Sequence, residues 1–292
     1  CKLQWKVDWA MRWYVLNVDY EMNGKDLIES FVLSSKINRI IGGRPPNNFT
    51  YELFLDEKGE KISKSIGNGI SVEDWLEFSP QESLELFMFQ NPTRAKRLYF
   101  DVIPKMTDEY LKLRKDFEAS EDSEKYKSPI WFLNNEKEFI ILEYFSFNMI
   151  LNLTNVCNAE SPEILWGFIE NYYPDIDRKQ FPLIQKLLEY GVEYYKKFVL
   201  PNKKYRLPNN LEREGFIKLI QTLETLDNKS EAEDIQTKIY EIGMELKFSN
   251  LKDWFSGFYQ VVLGQEQGPR LGSFIKFYGI EQTIQLLKEK VK

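Results

Sequence analysis

The hydrophobic pattern changes character near position 104, and that change limits the fold more than any other feature of the chain. From about Trp5 to Phe100, short strand-like runs such as Asn17-Val18-Asp19-Tyr20-Glu21 and Phe49 to Leu55 alternate with helical stretches. Such alternation is the pattern of a parallel α/β domain. Between those strands, Leu27, Ile28, Phe31, Ile37 and Ile40 fall at helix-compatible spacing within Asp26 to Ile41, with Asp26 as N-cap. Gly42-Gly43 would end that helix and Pro45-Pro46 would force an extended entry into the next strand. From Pro104 onward the spacing predicts helices almost without interruption: Pro104 to Glu118, Pro129 to Asn152, Ser161 to Tyr172, Pro182 to Leu200, Leu211 to Leu226, Ser230 to Phe248, Leu251 to Leu263 and Gly272 to Val291. Two domains are expected, 1–103 and 104–292, and a content of 43% apolar and 15% aromatic residues suffices for a core in each.

Composition narrows the chemistry. The chain has 0 histidines, which excludes Ser-His and Cys-His nucleophilic catalysis and imidazole metal sites. Its two cysteines, Cys1 and Cys157, lack the paired spacing of a metal cluster and suggest no disulfide framework. There is no apolar run of about eighteen residues and no charged-then-apolar leader, so no membrane span or secretory signal is expected, and the cytosol is the expected compartment.

Lys61-Ile62-Ser63-Lys64-Ser65, followed by Ile66-Gly67-Asn68, places two ammonium groups and two hydroxyls on a short polar loop. Lysine is a mobile point charge that can follow a developing phosphate charge, and glycine permits a tight turn beside it. The flanks read as strand before, Phe49 to Leu55, and capped helix after, Ser71-Val72-Glu73-Asp74-Trp75. A solvated surface loop is the other reading of the same residues.

Trp5, Trp9 and Trp13 lie four apart and form one stripe on a helix, which suits core packing. The same stripe, with Asp8, could line an amino-acid pocket in which an indole face and a carboxylate receive a cationic side chain. Gly24 and Asp26 read either as a turn or as a place where backbone and carboxylate approach a sugar. The net charge of -6 argues mildly against nucleic acid, yet between Arg178 and Arg213 nine basic residues face three acidic ones. Phe181, Tyr190, Tyr194, Tyr195, Phe198 and Tyr205 interleave with them, a mixture that suits RNA phosphates and splayed bases, or equally an amphipathic helix with its tyrosines in the core.

The loop resembles the Lys-Met-Ser-Lys-Ser signature of class I aminoacyl-tRNA synthetases. Lys6-Val7-Asp8-Trp9-Ala10-Met11-Arg12-Trp13 with Gly24-Lys25-Asp26 resembles the class I, archaeal-type lysyl-tRNA synthetases, and Leu263-Gly264-Gln265-Glu266-Gln267-Gly268-Pro269-Arg270-Leu271-Gly272 is similar to that family's closing motif. The resemblance implies the second half of a Rossmann-type catalytic domain, then an all-α stem-contact and anticodon-binding helix cage. It implies ATP-dependent attachment of lysine to tRNA-Lys through lysyl-adenylate, with Mg2+ arriving on ATP and no protein metal site. Lys64 and Lys61 are then the catalytic candidates. Lys64, Ser63, Ser65, Gly24 and Asp26 would bind ATP, and Asp8, Trp9 and Tyr51 would bind lysine. Arg178, Lys179, Lys196, Lys197, Lys203, Lys204 and Arg206 would bind tRNA. Two positions depart from the family pattern: Leu27 stands where relatives commonly have histidine, and Ile66 where lysine is frequent. A chain without histidine has no His-Ile-Gly-His signature, so the expectation is a downstream portion, inactive without its missing N-terminal catalytic segment. A non-catalytic tRNA-binding module and a helical interaction scaffold are the alternatives.

Overall fold

The computed structural model describes residues 3–63, 65–133, 145–227, 230–248 and 250–292. The chain divides into two compact units, Cys1–Trp75 with Leu84–Ile103, and Leu76–Ser83 with Pro104–Lys292.

The first unit opens with α1 (Trp5–Leu16), β1 (Tyr20–Gly24), α2 (Ile28–Ile40), β2 (Asn47–Tyr51) and β3 (Phe54–Leu55). The short helices α3 (Val72–Leu76) and α4 (Gln81–Phe89), each shared in part with the second unit, and strand β4 (Lys96–Arg97) follow. β1 and β2 pair in parallel, from Tyr20 opposite Asn47 to Gly24 opposite Tyr51, and α2 makes the crossover that a parallel pair requires. β3 pairs in parallel with β4 in a separate two-stranded sheet.

Three local expectations change. The strand expected from Phe49 to Leu55 is interrupted: after Tyr51 the Glu52 amide turns to the Pro92 carbonyl at 2.9 Å, and pairing resumes with a different partner. The strand expected from Asn17 begins at Tyr20, because Asn17 adopts a left-handed conformation (φ 51°) and its amide closes α1 on the Trp13 carbonyl. Asp26 does not cap α2; it lies inside a 3₁₀ turn, Lys25–Leu27, that precedes the helix.

The face that α2 buries is also not the apolar one. Ser30, Ser34, Ser35 and Asn38 are buried, whereas Ile28, Val32, Leu33 and Ile40 are exposed. Small polar residues let the helices approach closely enough for Ser34 Oγ to donate to the Lys6 carbonyl (3.0 Å) and Asn38 Nδ2 to the Ala10 carbonyl (2.9 Å). Ser71 and Asp74 form the reciprocal cap expected at α3: the Asp74 amide donates to Ser71 Oγ (3.1 Å) and the Ser71 amide to Asp74 Oδ2 (2.9 Å).

The second unit is helical among its described residues: α5 (Val102–Ala119, shared with the first unit at its start), α6 (Asp122–Lys125), α7 (Phe147–Cys157), α8 (Pro162–Tyr172), α9 (Pro182–Tyr194), α10 (Asn210–Glu224), α11 (Ala232–Glu245), α12 (Leu251–Phe258), α13 (Leu271–Tyr278) and α14 (Ile280–Lys290). Trp166, Trp254, Phe147, Phe216, Phe258 and Phe274 are fully buried and form its core. Departures from the expected helices have local causes. The helix expected over Pro129 to Asn152 is a 3₁₀ turn, Pro129–Phe132, then α7 capped by Ser146; residues 134–144 lie outside the described residues. α9 and α12 each pass into a π-helical turn, Tyr195–Val199 and Tyr259–Leu263. The helix expected from Gly272 breaks at Gly279, whose φ of 106° no helix accommodates.

α11 and α13 meet at Gly272, where an added Cβ would run into the Ala232 carbonyl and approach the Gln236 Cβ to 2.7 Å. Gly272→Ala is expected to lower stability by about 1–3 kcal/mol through overpacking, read as a shifted denaturation midpoint at unchanged slope. On α5, Asp108 accepts from the amides of Phe147 (2.5 Å) and Asn148 (3.2 Å) at the start of α7. Burial raises its carboxyl from the ordinary 3.8 to about 6, against the pull of those amides. The folded chain therefore holds this proton more tightly than the unfolded one. The group's contribution is full below about pH 4 and is lost as pH rises through about 6. Asp108→Asn keeps an acceptor for the cap and should flatten stability between those pH values, measured by denaturant titration.

Candidate functional site

Trp5, Trp9 and Trp13 stack along α1 with ring centroids 5.4 and 4.8 Å apart. The stripe grades from core to surface: Trp13 is 2% exposed and touches Phe31, Trp9 is half-buried, and Trp5 is 49% exposed. The expected core role therefore fits Trp13, whereas Trp5 and Trp9 line a cavity of about 400 Å³. Asp8, Leu27 and Tyr51 line the same cavity, so three side chains expected at an amino-acid site, Asp8, Trp9 and Tyr51, come together from a helix and a strand.

The cavity also contains residues that the sequence reading did not select. Glu21 Oε2 accepts from Trp13 Nε1 at 2.7 Å, which anchors a carboxylate in the wall. Asn23, buried and two residues along the same strand, donates to the Gly24 carbonyl and accepts from Asn48 at 2.5 Å. Strand alternation puts positions 21 and 23 on one face, and that period was the available signal. Arg12 completes the rim and pairs with Asp8 at 2.8 Å. Its side chain is 65% exposed, and an exposed pair of this kind is worth about 0–1 kcal/mol, so a ligand cation can compete for Asp8.

Gly24 ends β1 and leads into the turn that carries Asp26. A Cβ at Gly24 would stand 2.7 Å from Asp26 Oδ1 and 3.6 Å from the Tyr51 ring, so these three residues share one small space. Lys25 points elsewhere, to Glu52 at 2.7 Å, and that hydrogen bond holds the Glu52 carboxyl below its ordinary range.

The polar loop begins at Lys61, bridged to Leu55 of β3. The hydroxyls of Ser63 and Ser65 lie 2.8 Å apart, and the amides of Ile66 and Gly67 both return to the Ser63 carbonyl. Gly67 takes a φ of 68°, the conformation for which a glycine was expected there. Lys61 and Ile66 are exposed; Lys64 lies outside the described residues. Among the described residues no group of three or more His, Cys, Asp or Glu side chains could hold a metal ion.

The basic stretch of the second unit is more occupied than its composition suggested. Arg178 makes two bonds to Glu170 (2.6 and 2.7 Å) and lies over Trp166. Lys196 pairs with Glu193, and Lys197 with Glu77. These pairs are partly exposed and exchangeable. Lys203 is different: its ammonium donates to the Asn155 carbonyl, Asn158 Oδ1 and the Tyr195 hydroxyl at 2.7–3.1 Å, and burial lowers its pKa to about 8. Arg206 grips the buried Glu212 carboxylate with bonds of 2.7 and 2.6 Å and reaches Gln260 at 2.6 Å. Glu212 also closes the capping box of α10 with Asn209. Lys203 and Arg206 are thus both engaged by polar groups of the second unit. Lys179 and Lys204 are exposed. Among the tyrosines, Tyr194 and Tyr195 are buried, as the amphipathic-helix alternative has it.

Residues 1–137 match the family described as class I tRNA synthetases (K). Over those residues the chain belongs to that family. Its similarity to individual relatives covers the whole chain. A lysine-tRNA ligase of Rickettsia bellii (strain OSU 85-389) is 47% identical over 293 residues, covering 100% of this chain and 56% of the relative. That of Rickettsia felis is 46% identical over the same span and the same shares. The chain therefore spans about half the length of the curated relatives it matches. A solved glutamate tRNA ligase of Elizabethkingia meningosepticum, in complex with its amino acid, aligns over 99% of this chain and 60% of its own at 13% identity and a TM-score of 0.35, too low for its fold to be transferred.

Proposed function

We propose that this chain carries the lysine pocket, the phosphate loop and the tRNA-binding helices of a lysine-tRNA ligase. The observation that carries the reading is the shared cavity of Asp8, Trp9 and Tyr51, set in a segment that belongs to the class I (K) synthetases. The aliphatic part of lysine would lie on the indoles of Trp5 and Trp9, with its ammonium near Asp8 or Glu21. Gly24 and Asp26 would meet the ATP ribose. Leu27 gives the cavity an apolar wall where relatives commonly have histidine, so no imidazole contact is available from that position.

The lysine carboxylate attacks the ATP α-phosphorus, pyrophosphate leaves, and the adenylate passes lysine to the terminal ribose of tRNA. Magnesium enters with ATP as part of the substrate. In this scheme Lys64 and Lys61 neutralise charge as pyrophosphate departs, while Ser63 and Ser65 offer hydroxyls to phosphate oxygens. Residues 1–103 form the catalytic part. Residues 104–292 contact tRNA through the exposed Lys179 and Lys204 and through Arg178, Lys196 and Lys197, which exchange weak surface partners for phosphates. The reaction is placed in the cytosol, and no described helix is long and apolar enough to cross a membrane.

Among the described residues, the first unit also presents exposed apolar side chains on both of its first helices. Ile28, Val32, Leu33 and Ile40 of α2 are exposed together with Met11, Tyr14, Val15 and Leu16 of α1, and β1 and β2 form a sheet of only two strands. An apolar surface of this kind marks an interaction site, and two parallel strands lack the cover that parallel sheets have on both faces. The partner that fits is a further α/β segment, for which the relatives' remaining length leaves room.

Lysine-dependent ATP-pyrophosphate exchange tests the reading. The chain alone is expected to show none, and to gain it when the remaining segment of the Rickettsia bellii enzyme is supplied. In that complemented enzyme, Lys64→Ala should lower the exchange rate about 10²–10³-fold with tRNA affinity unchanged. Equal losses in both would remove Lys64 from its assigned role.

A further inference from the structure

In the loop from Lys61 to Asn68, Lys61, Ser65, Ile66 and Gly67 are exposed, and a side-chain bridge fixes the path of its backbone. Asn68 Oδ1 accepts from the Ser63 amide at 2.9 Å. Its Nδ2 donates to Asp56 Oδ2 at 2.8 Å and to the Lys61 carbonyl at 3.3 Å. Only one orientation of the amide satisfies all three partners, since a flip would set its oxygen against a carboxylate and a carbonyl. The opposite oxygen of Asp56 accepts from the amides of Lys58 (3.0 Å) and Glu60 (2.8 Å), which ties the carboxylate to the turn after β3. Asp56 is only 8% exposed, so it sits under the loop and not among its ligand-facing groups.

We infer that Asp56 and Asn68 are positioning residues: together they set the backbone that carries Lys61 and Ser63 in the geometry that receives phosphate. The inference rests on reading residues 61–68 as a phosphate loop. Asn68 grips the backbone on both sides of Ile62, and Asp56 connects that grip to β3. Neither side chain touches the substrate in this account. Their effect passes through the two backbone groups that Asn68 holds.

The pair can be inverted. In Asp56→Asn with Asn68→Asp, the central bond is remade in the opposite sense. The amides of Lys58, Glu60 and Ser63 keep their acceptors, while the Lys61 carbonyl loses its donor and faces a carboxylate oxygen at the longest of the three contacts. The test measures amide hydrogen exchange over 61–68, the affinity for magnesium pyrophosphate and the thermal midpoint, on the full chain and on Asn68→Ala, Asn68→Asp, Asp56→Asn and the double exchange. Each single variant is expected to speed exchange at the Ser63 amide and to weaken pyrophosphate binding, both by about tenfold or more, with the double exchange recovering part of each loss. Equal thermal midpoints separate this from general unfolding. Unchanged exchange in the single variants overturns the lock. Faster exchange with undiminished pyrophosphate affinity, or a double exchange no better than its parents, overturns the positioning role. A parent chain that binds no pyrophosphate overturns the phosphate-loop reading itself, a failure visible without any variant.

Discussion

Two hydrogen bonds from α2 to the backbone of α1, Ser34 to the Lys6 carbonyl and Asn38 to the Ala10 carbonyl, set the first unit on its course. A helix carbonyl already engaged within its own helix can accept a second donor only if the neighbouring helix comes close, and serine and asparagine are small enough to allow it. Two results follow. α1 is held so that Trp13 packs into the core against Phe31 while Trp9 and Trp5 open toward the cavity. α2 is turned so that Ile28, Val32, Leu33 and Ile40 face outward, and their exposure is a direct product of the same contact.

The cavity and the loop use different physical means. In the cavity, aromatic faces supply apolar area and two carboxylates supply charge; one of these, Glu21, is fixed by an indole and the other, Asp8, only by an exposed arginine. In the loop, the exposed Lys61 and the hydroxyls of Ser63 and Ser65 share a backbone held by a bridge of short polar side chains, of which Asp56 is buried. In the second unit, Arg206 with the buried Glu212 carboxylate and Lys203 with the Asn155 carbonyl tie the 200–207 segment to its helices.

How much of this could be read in advance depends on what each signal encodes. The cap at Ser71 and the helix start at Ser161 were legible, because helix-start chemistry is local, whereas Ser146 was taken into the interior of a helix expected over Pro129 to Asn152 and in fact caps α7. The tryptophan stripe was legible as a stripe, but only packing distinguishes Trp13 as core from Trp5 as cavity wall. The buried face of α2 was misread because apolar periodicity marks a face that needs cover without saying that the same unit supplies it. The break at Gly279 was missed because glycine within a helical pattern is tolerated as often as it stops one. Charge counting found the basic segment but not its partners: Glu212 is only six residues from Arg206, yet nothing in the sequence says that this carboxylate is buried. The grouping of Asp8, Trp9 and Tyr51 came from motif resemblance, since no local pattern connects a helix at position 8 with a strand at position 51.

The central claim is that the cavity recognises a long cationic amino acid through indole faces and a carboxylate. It is tested most directly by titrating the chain with lysine and with norleucine, which keeps the aliphatic chain and lacks the ammonium, and following tryptophan fluorescence. Saturable quenching by lysine, with norleucine at least about tenfold weaker, is the expected result. Equal response to both, or a lysine response that persists unchanged in Trp9→Leu and Asp8→Asn, would contradict it.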